Sequence, residues 1–166
     1  MAPIEPGEAT ADLCDRLGAQ ARVCHAPFKS YGGLQRWHAP IACVQTGEDA
    51  GPLRALLDTP GRGRMLVVDG GGALRVALLG ERMAQLGMRN GWRGVIVYGA
   101  VRDVAALATL EFAVLALAAV PQRAPPGASD TASGGARAAL RLGDMAVHED
   151  DWVAFDADGV VFVHVD

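Results

Sequence analysis

The chain has 166 residues, of which 51% are hydrophobic and 20% charged, with a formal net charge of -4 and a pI near 5.5. That length and apolar content suit one domain, residues 1–166, with a substantial core. The acidic balance speaks against a nucleic-acid-binding surface and leaves room only for a local basic patch.

In chain order, the opening MAPIEPGEAT lacks the apolar core of a secretory signal. Cys14, Cys24 and Cys43 are odd in number and have no C-x-x-C spacing, so a reducing, cytoplasmic setting without a disulfide framework is expected. Thr10 reads as the N-cap of a short helix, with Asp12 in its first turn and Gly18 as its stop. Val23–Tyr31 fits no single element, because Pro27 opposes a central strand, and Gly32-Gly33 is a turn. Pro40 leads into a strand over Ile41–Gln45. Gly51-Pro52 then starts a helix over Leu53–Leu57 that Pro60 stops.

The stretch from Gly61 to Asp103 organises the rest. Met65–Val68 and Val95–Tyr98 are short apolar, β-branched runs that predict buried strands. The first ends in Asp69 and Gly70–Gly72, the second in Gly99 and then Arg102-Asp103. Ala73–Asn90 has helical spacing, with Leu74, Ala77 and Leu78 on one face and Met83 and Leu86 on another. Gly80 interrupts it, so two helices with a break are expected. A helix that begins after Gly80 presents open backbone N–H groups, which favour a small anion.

Asp103 marks the start of a helix through Leu110, and Phe112–Val120 either continues it or forms a short buried strand. The run Val104–Val120 is nearly all apolar. It is short for a membrane span and carries Thr109 and Glu111, so burial in a core is the expectation, with no membrane partner. Pro121–Gly135, rich in Pro, Ala, Gly and Ser, reads as a surface loop. Gly143-Asp144 and Asp156–Gly159 signal two hairpins, one within Leu140–Val147 and one joining Val153–Phe155 to Val160–Val165.

Several chemistries are excluded by spacing. The glycines at 70–72 do not form G-x-G-x-x-G, since Arg75 and Val76 stand where the last glycine is needed, and no Lys-Ser or Lys-Thr follows. Neither G-x-S-x-G nor H-E-x-x-H occurs. His25, His38, His148 and His164 lack zinc-ligand spacing and read as surface or satisfied side chains. Asp69 reads as a turn carboxylate bonded to the Gly71 or Gly72 amide. Arg102 and Asp103 admit two readings each. Arg102 is a surface ion-pair partner or a bidentate carboxylate binder. Asp103 is a helix N-cap or an oxygen ligand for a hard cation.

TADLCDRLG at 10–18, FKSYGG at 28–33, GRGRMLVVDGGGALRVALLG at 61–80, NGWRGVIVYGAVRD at 90–103 and DDWVAFDADGVV at 150–161 together resemble the regulator of ribonuclease activity A family, which also contains class II aldolases for 4-hydroxy-4-methyl-2-oxoglutarate. The resemblance implies an α/β chain with the layered β/β/α fold of the swivelling phosphohistidine-domain type, assembled as a homotrimer that sometimes stacks into a hexamer. It implies cleavage of 4-hydroxy-4-methyl-2-oxoglutarate to pyruvate, or decarboxylation of oxaloacetate, with Mg²⁺ or Mn²⁺. Gly80, Glu81, Arg82 and Met83 are then the substrate-binding turn, Arg102 binds substrate and acts in catalysis, and Asp103 is the metal ligand and a catalytic residue. Both reactions leave a pyruvate enolate, an oxyanion that a hard cation and a guanidinium stabilise. Lys29 is the only lysine and lies outside the matched site, so no Schiff-base route is indicated. The family's Arg-Asp-x-x-Asp/Glu pattern ends here in Ala106, and its Gly-Glu-x-Asp stretch stands here as Gly134-Gly135-Ala136-Arg137. Family members that bind and restrain an endoribonuclease resemble this chain in length and in the segment VIVYGAVR, so the resemblance also implies a protein partner of that kind as the alternative role.

Overall fold

The computed structural model describes residues 2–125 and 134–166. Strand β3 (Trp37–Gln45) joins two halves of one sheet. Its first part, residues 37–40, pairs antiparallel with β11 (Trp152–Asp156), and its second, residues 41–45, pairs parallel with β4 (Met65–Asp69). The strand therefore runs through Pro40 rather than starting after it. The imide nitrogen, which cannot donate, sits at the changeover of partners.

Beyond β4 the order continues through β6 (Gly94–Val101) and β7 (Ala113–Ala119), both parallel, to the short edge strand β2 (Lys29–Ser30). On the other side, β12 (Gly159–Val163) and β1 (Ala21–Cys24) complete an antiparallel wing. The pair β9 (Ala139–Leu142) and β10 (Met145–His148) forms a separate two-stranded sheet. Both expected hairpins are present.

The parallel strands are continuous apolar runs because both faces are covered. Leu66, Val68, Val95, Val97, Val114 and Ala116 face a layer that includes α2 (Gly51–Leu57) and α3 (Glu81–Arg89). Met65, Val67, Ile96, Ala113 and Leu115 face the opposite way, against residues of the β9–β10 pair and the antiparallel wing. A smaller cluster of Ile4, Leu13, Ala154, Val161 and Val163 lies under α1 (Thr10–Leu17). Mixed α/β layering, with one large sheet and few helices, is the result.

Three local expectations are corrected. First, residues 73–80 are not helical. Ala77–Leu79 form a strand, β5, that pairs parallel with β6 at Ala100 and Val101, just beyond the reach of β4. Leu74 is 46% exposed while Ala77, Leu78 and Leu79 are all buried, so the spacing that mimics a helix is a turn followed by a fully buried strand. Second, the helix expected from Asp103 through Leu110 is a single turn, α4 (Val104–Leu107); of the two readings open for 112–120, the buried strand holds, as β7. Third, Thr10 is the first helical residue, not the cap. Its amide and its hydroxyl both donate to the Asp156 carboxylate, at 2.8 and 2.7 Å, so the cap is delivered from the β11–β12 hairpin. Gly18 does end this helix, at φ 56. The expected loop over 121–135 falls partly on residues 126–133, which lie outside the described residues; on its far side, Gly135–Ala136 form β8 against β3.

Burial pushes the Asp156 pKa up, but bonds from the Thr10 hydroxyl and amide and the Asp158 amide pull it further down, leaving it below the ordinary carboxylate value. A carboxylate depressed in the folded state contributes stability above its unfolded pKa and loses it as pH falls through the folded one. Asp156→Ala is expected to cost about 1–2 kcal/mol in urea unfolding at pH 7. That cost should shrink at acid pH, where the wild-type carboxylate is itself protonated.

Candidate functional site

The site lies at the carboxyl ends of β5 and β6, where open α/β sheets characteristically bind ligands. Two chain segments leave the sheet side by side there. β5 ends at Leu79 and passes through Gly80 into α3, and β6 ends at Val101 and passes through Arg102 and Asp103 into α4. The Arg102 amide donates to the Leu79 carbonyl at 2.9 Å, which locks the two exits in register.

Asp103 sits at φ 61, ψ 37, a left-handed conformation that costs about 1–2 kcal/mol for most residues and that, glycine aside, Asp and Asn tolerate best. Its side chain makes no capping bond to its own helix. Instead, Oδ2 accepts the Glu81 amide at 3.0 Å, so the carboxylate caps the first turn of α3. Asp103 is exposed, and its other oxygen has no hydrogen-bond partner among the described residues. The reading of Asp103 as a cap is thus correct in kind, but the helix it caps is the neighbouring one.

Gly80 is what permits this approach. A Cβ there would lie 2.6 Å from Asp103 Oδ2 and 3.3–3.4 Å from Cγ and Nε of Arg102. The Arg102 side chain therefore passes across Gly80, and its guanidinium has no hydrogen bond or ion pair among the described residues. Of the first-turn amides, Glu81 is taken by Asp103 and Ala84 by the Gly80 carbonyl at 3.0 Å, while Arg82 and Met83 donate to nothing described. The Glu81 side chain accepts from Gln85 at 3.3 Å, and Arg82 is exposed. Met83 packs its side chain against the helix-side core, so only its backbone faces the site. The structure thus brings Gly80, Glu81, Arg102 and Asp103 together, with the Arg82 and Met83 amides open beside them.

A divalent cation here would find one direct carboxylate, Asp103, because position 106 is alanine and the Glu81 carboxyl accepts from Gln85. That donor set fits Mg²⁺ or Mn²⁺, which keep several waters and take one or two protein carboxylates plus substrate oxygens. Asp69, by contrast, is a turn residue, its Oδ1 accepting the Gly71 amide at 2.8 Å. A hollow of about 370 Å³ lined by Leu34, Gly63, Gly91, Trp92, Arg93 and Glu111 lies at the other end of the parallel strands, among residues that precede β4, β6 and β7. It shares no residue with the Gly80–Asp103 corner, where the open donors and the exposed carboxylate are.

One group escaped the sequence reading. His148, Asp151 and His164 each bring a ligand atom within 4.8 Å of the others. Their separation along the chain carries no motif; the register that pairs Trp152 with Val163 is what brings them together.

An α/β layered domain with an anion-ready helix start beside an Arg-Asp pair defines the class. The profile described as "RraA-like: Aldolase/RraA" matches residues 10–162. The chain is 41% identical over 152 residues to a protein of Alkalilimnicola ehrlichii named "Putative 4-hydroxy-4-methyl-2-oxoglutarate aldolase", covering 92% of each chain. A protein of the same name from Halorhodospira halophila is 42% identical over 159 residues, covering 92% of this chain and 93% of that one. Among solved structures, the RNA-processing inhibitor RraA from Thermus thermophilis superposes with a TM-score of 0.87 at 33% identity, over 96% of this chain and 93% of that one. A Geobacillus kaustophilus protein described as an S-adenosylmethionine: 2-dimethylmenaquinone methyltransferase gives 0.89 at 38%, over 96% of both. The chain belongs to the RraA-like family.

Asparagine keeps both an acceptor oxygen and tolerance of the left-handed region. Asp103→Asn is therefore expected to stay within about 1 kcal/mol of wild type in denaturant unfolding, and Asp103→Ala to lose about 1–2 kcal/mol. Equal losses in the two variants would remove the capping role.

Proposed function

We propose that the chain is a divalent-cation-assisted carbon–carbon lyase for small 2-keto acids. It cleaves 4-hydroxy-4-methyl-2-oxoglutarate into two pyruvates by a retro-aldol step, and it decarboxylates oxaloacetate to pyruvate. The observation that carries this reading is the Arg102 guanidinium, unpaired among the described residues, beside an exposed, half-used Asp103 carboxylate and two helix amides that donate to nothing described. The aldolase names of relatives near 40% identity support the same chemistry.

In the retro-aldol direction, the bond between C3 and C4 breaks. The 4-hydroxyl proton passes to water, C4 becomes the carbonyl of one pyruvate, and the bonding pair moves into the enolate of the other. In oxaloacetate the same enolate forms as carbon dioxide departs, and protonation at carbon completes either reaction. The Arg82 and Met83 amides hold the carboxylate next to the keto group, where the positive end of α3 favours an anion. Arg102 contributes a fixed positive charge near the keto oxygen, and it acts more strongly on the enolate than on the ground-state carbonyl. Asp103 would hold a Mg²⁺ or Mn²⁺ ion, which would supply Lewis-acid polarisation of the keto group. The domain, spanning 1–166, works as a homotrimer in the cytoplasm.

A second reading is a regulator that binds an endoribonuclease, favoured by the likeness to the Thermus RNA-processing inhibitor. The net charge of -4 suits a basic partner surface.

Pyruvate release from oxaloacetate and from 4-hydroxy-4-methyl-2-oxoglutarate, followed with and without Mg²⁺ or Mn²⁺, separates the two. Metal-dependent turnover that falls about 100-fold or more in Arg102→Ala and Asp103→Asn is expected. No turnover by a folded trimer at any metal concentration, together with slowed cleavage by an endoribonuclease, would replace the lyase with the regulator.

A further inference from the structure

Outside the Arg102–Asp103 corner, the three-residue group at the far end of the antiparallel wing stands apart for its chemistry. His148 closes β10, Asp151 precedes β11, and His164 follows β12. Asp151 is fully buried, while the two histidine side chains are 47% and 48% exposed. One Asp151 oxygen, Oδ2, accepts the His148 amide at 2.9 Å and Arg22 Nη2 at 3.2 Å. The other, Oδ1, meets only Nδ1 of His164 among the described residues, at 2.6 Å. Nδ1 of His148 stands 3.7 Å from Oδ2, and the two imidazole rings lie 5.0 Å apart at 59°. Asp166, fully exposed, approaches Nε2 of His164 at 3.5 Å.

We propose that His148, Asp151 and His164 form a binding site for a borderline transition-metal cation of the Zn²⁺, Co²⁺ or Ni²⁺ kind, separate from the hard-cation position at Asp103. Two imidazole nitrogens and one carboxylate oxygen are the donors such ions prefer, and Mg²⁺ does not. The ligand atoms already lie within 4.8 Å of one another. Ligands about 2.1 Å from a tetrahedral ion stand roughly 3.4 Å apart, so rotation of two half-exposed rings about a fixed carboxylate completes the geometry. Asp151 is held by the His148 amide and Arg22, which pre-orients it. The Arg22 charge is spent on Oδ2, leaving Oδ1 as the donor. Water takes the fourth position on the exposed side.

The consequence is structural. The ion ties the end of the β9–β10 pair to the start of β11 and the tail after β12, segments that belong to two different sheets. An ion that binds only the folded chain raises its stability by mass action. Zn²⁺ would therefore stabilise this chain without acting at the Arg102–Asp103 corner.

The test uses the full chain stripped with a chelator. Zn²⁺ affinity is read by competition with a chromophoric indicator, Co²⁺ by its visible absorption, and stability by thermal unfolding. One equivalent of Zn²⁺ per chain is expected, with a rise in Tm and no competition from a large excess of Mg²⁺. His148→Ala and His164→Gln are each expected to weaken binding by about 10-fold or more and to abolish the Tm rise. Asp103→Asn should leave Zn²⁺ binding unchanged. Both histidines are exposed, and circular dichroism of the metal-free variants verifies their folding; His148→Ala stands alone if His164→Gln does not fold. Failure of the wild type to bind Zn²⁺ at about 100 µM, far above the affinity of ordinary protein zinc sites, would overturn the proposal. Equal affinity in the histidine variants, or loss of binding in Asp103→Asn, would overturn it as well.

Discussion

A single hydrogen bond, from the Glu81 amide to the Asp103 carboxylate, sets the geometry of the candidate site. It joins the first turn of one helix to the residue that opens another, across two neighbouring strand ends. It also divides the labour of the corner. One amide and one carboxylate oxygen are consumed in holding the two exits together, while the Arg82 and Met83 amides, the second Asp103 oxygen and the Arg102 guanidinium stay open among the described residues. The left-handed backbone at Asp103 turns its carboxylate away from its own helix, and the missing side chain at Gly80 makes room for it. Removing either feature breaks the arrangement without touching the chemistry-bearing groups directly.

That corner depends in turn on how the sheet is built. β3 changes partners at Pro40, which lets one strand serve an antiparallel wing and a parallel core. Within the parallel core, β4 stops at Asp69, and β5 returns to occupy the same edge of β6 further along. Without that return, Leu79 would not lie beside Arg102, and no helix start would meet the Arg-Asp pair. The glycine turn after Asp69 starts this excursion at the edge of β6: Gly70 and Gly72 both donate to the Tyr98 carbonyl, at 3.1 and 3.2 Å.

Much of this is legible in the residues. Runs such as Met65–Val68 and Val95–Tyr98 announce doubly covered strands because every position is apolar. Gly143-Asp144 and the Asp156–Gly159 turn announce hairpins, and Gly80 marks where a helix begins. What is not legible is whatever depends on a distant partner. Ala77–Leu79 is too short for its period to separate strand from helix, and only its pairing with β6 decides. The Thr10 helix is capped by Asp156, and the Asp103 carboxylate reaches Glu81 rather than its own turn; neither partner lies within one helical turn along the chain. His148 and His164 look unrelated as sequence because the β11–β12 hairpin lies between them. The likeness to RraA-like proteins correctly marks the family, while relatives and neighbours carry several different names, so the open groups at the corner bear the weight of the functional reading.

The most direct measurement of the central claim is calorimetric titration of oxalate, a stable mimic of the pyruvate enolate, into the metal-stripped chain with and without Mg²⁺. Oxalate should bind appreciably only when Mg²⁺ is present, and both Arg102→Ala and Asp103→Asn should abolish that binding while remaining folded. Oxalate affinity that is indifferent to Mg²⁺, or that survives loss of the Asp103 charge, would contradict the convergence of anion donors, guanidinium and cation ligand at one corner of the fold.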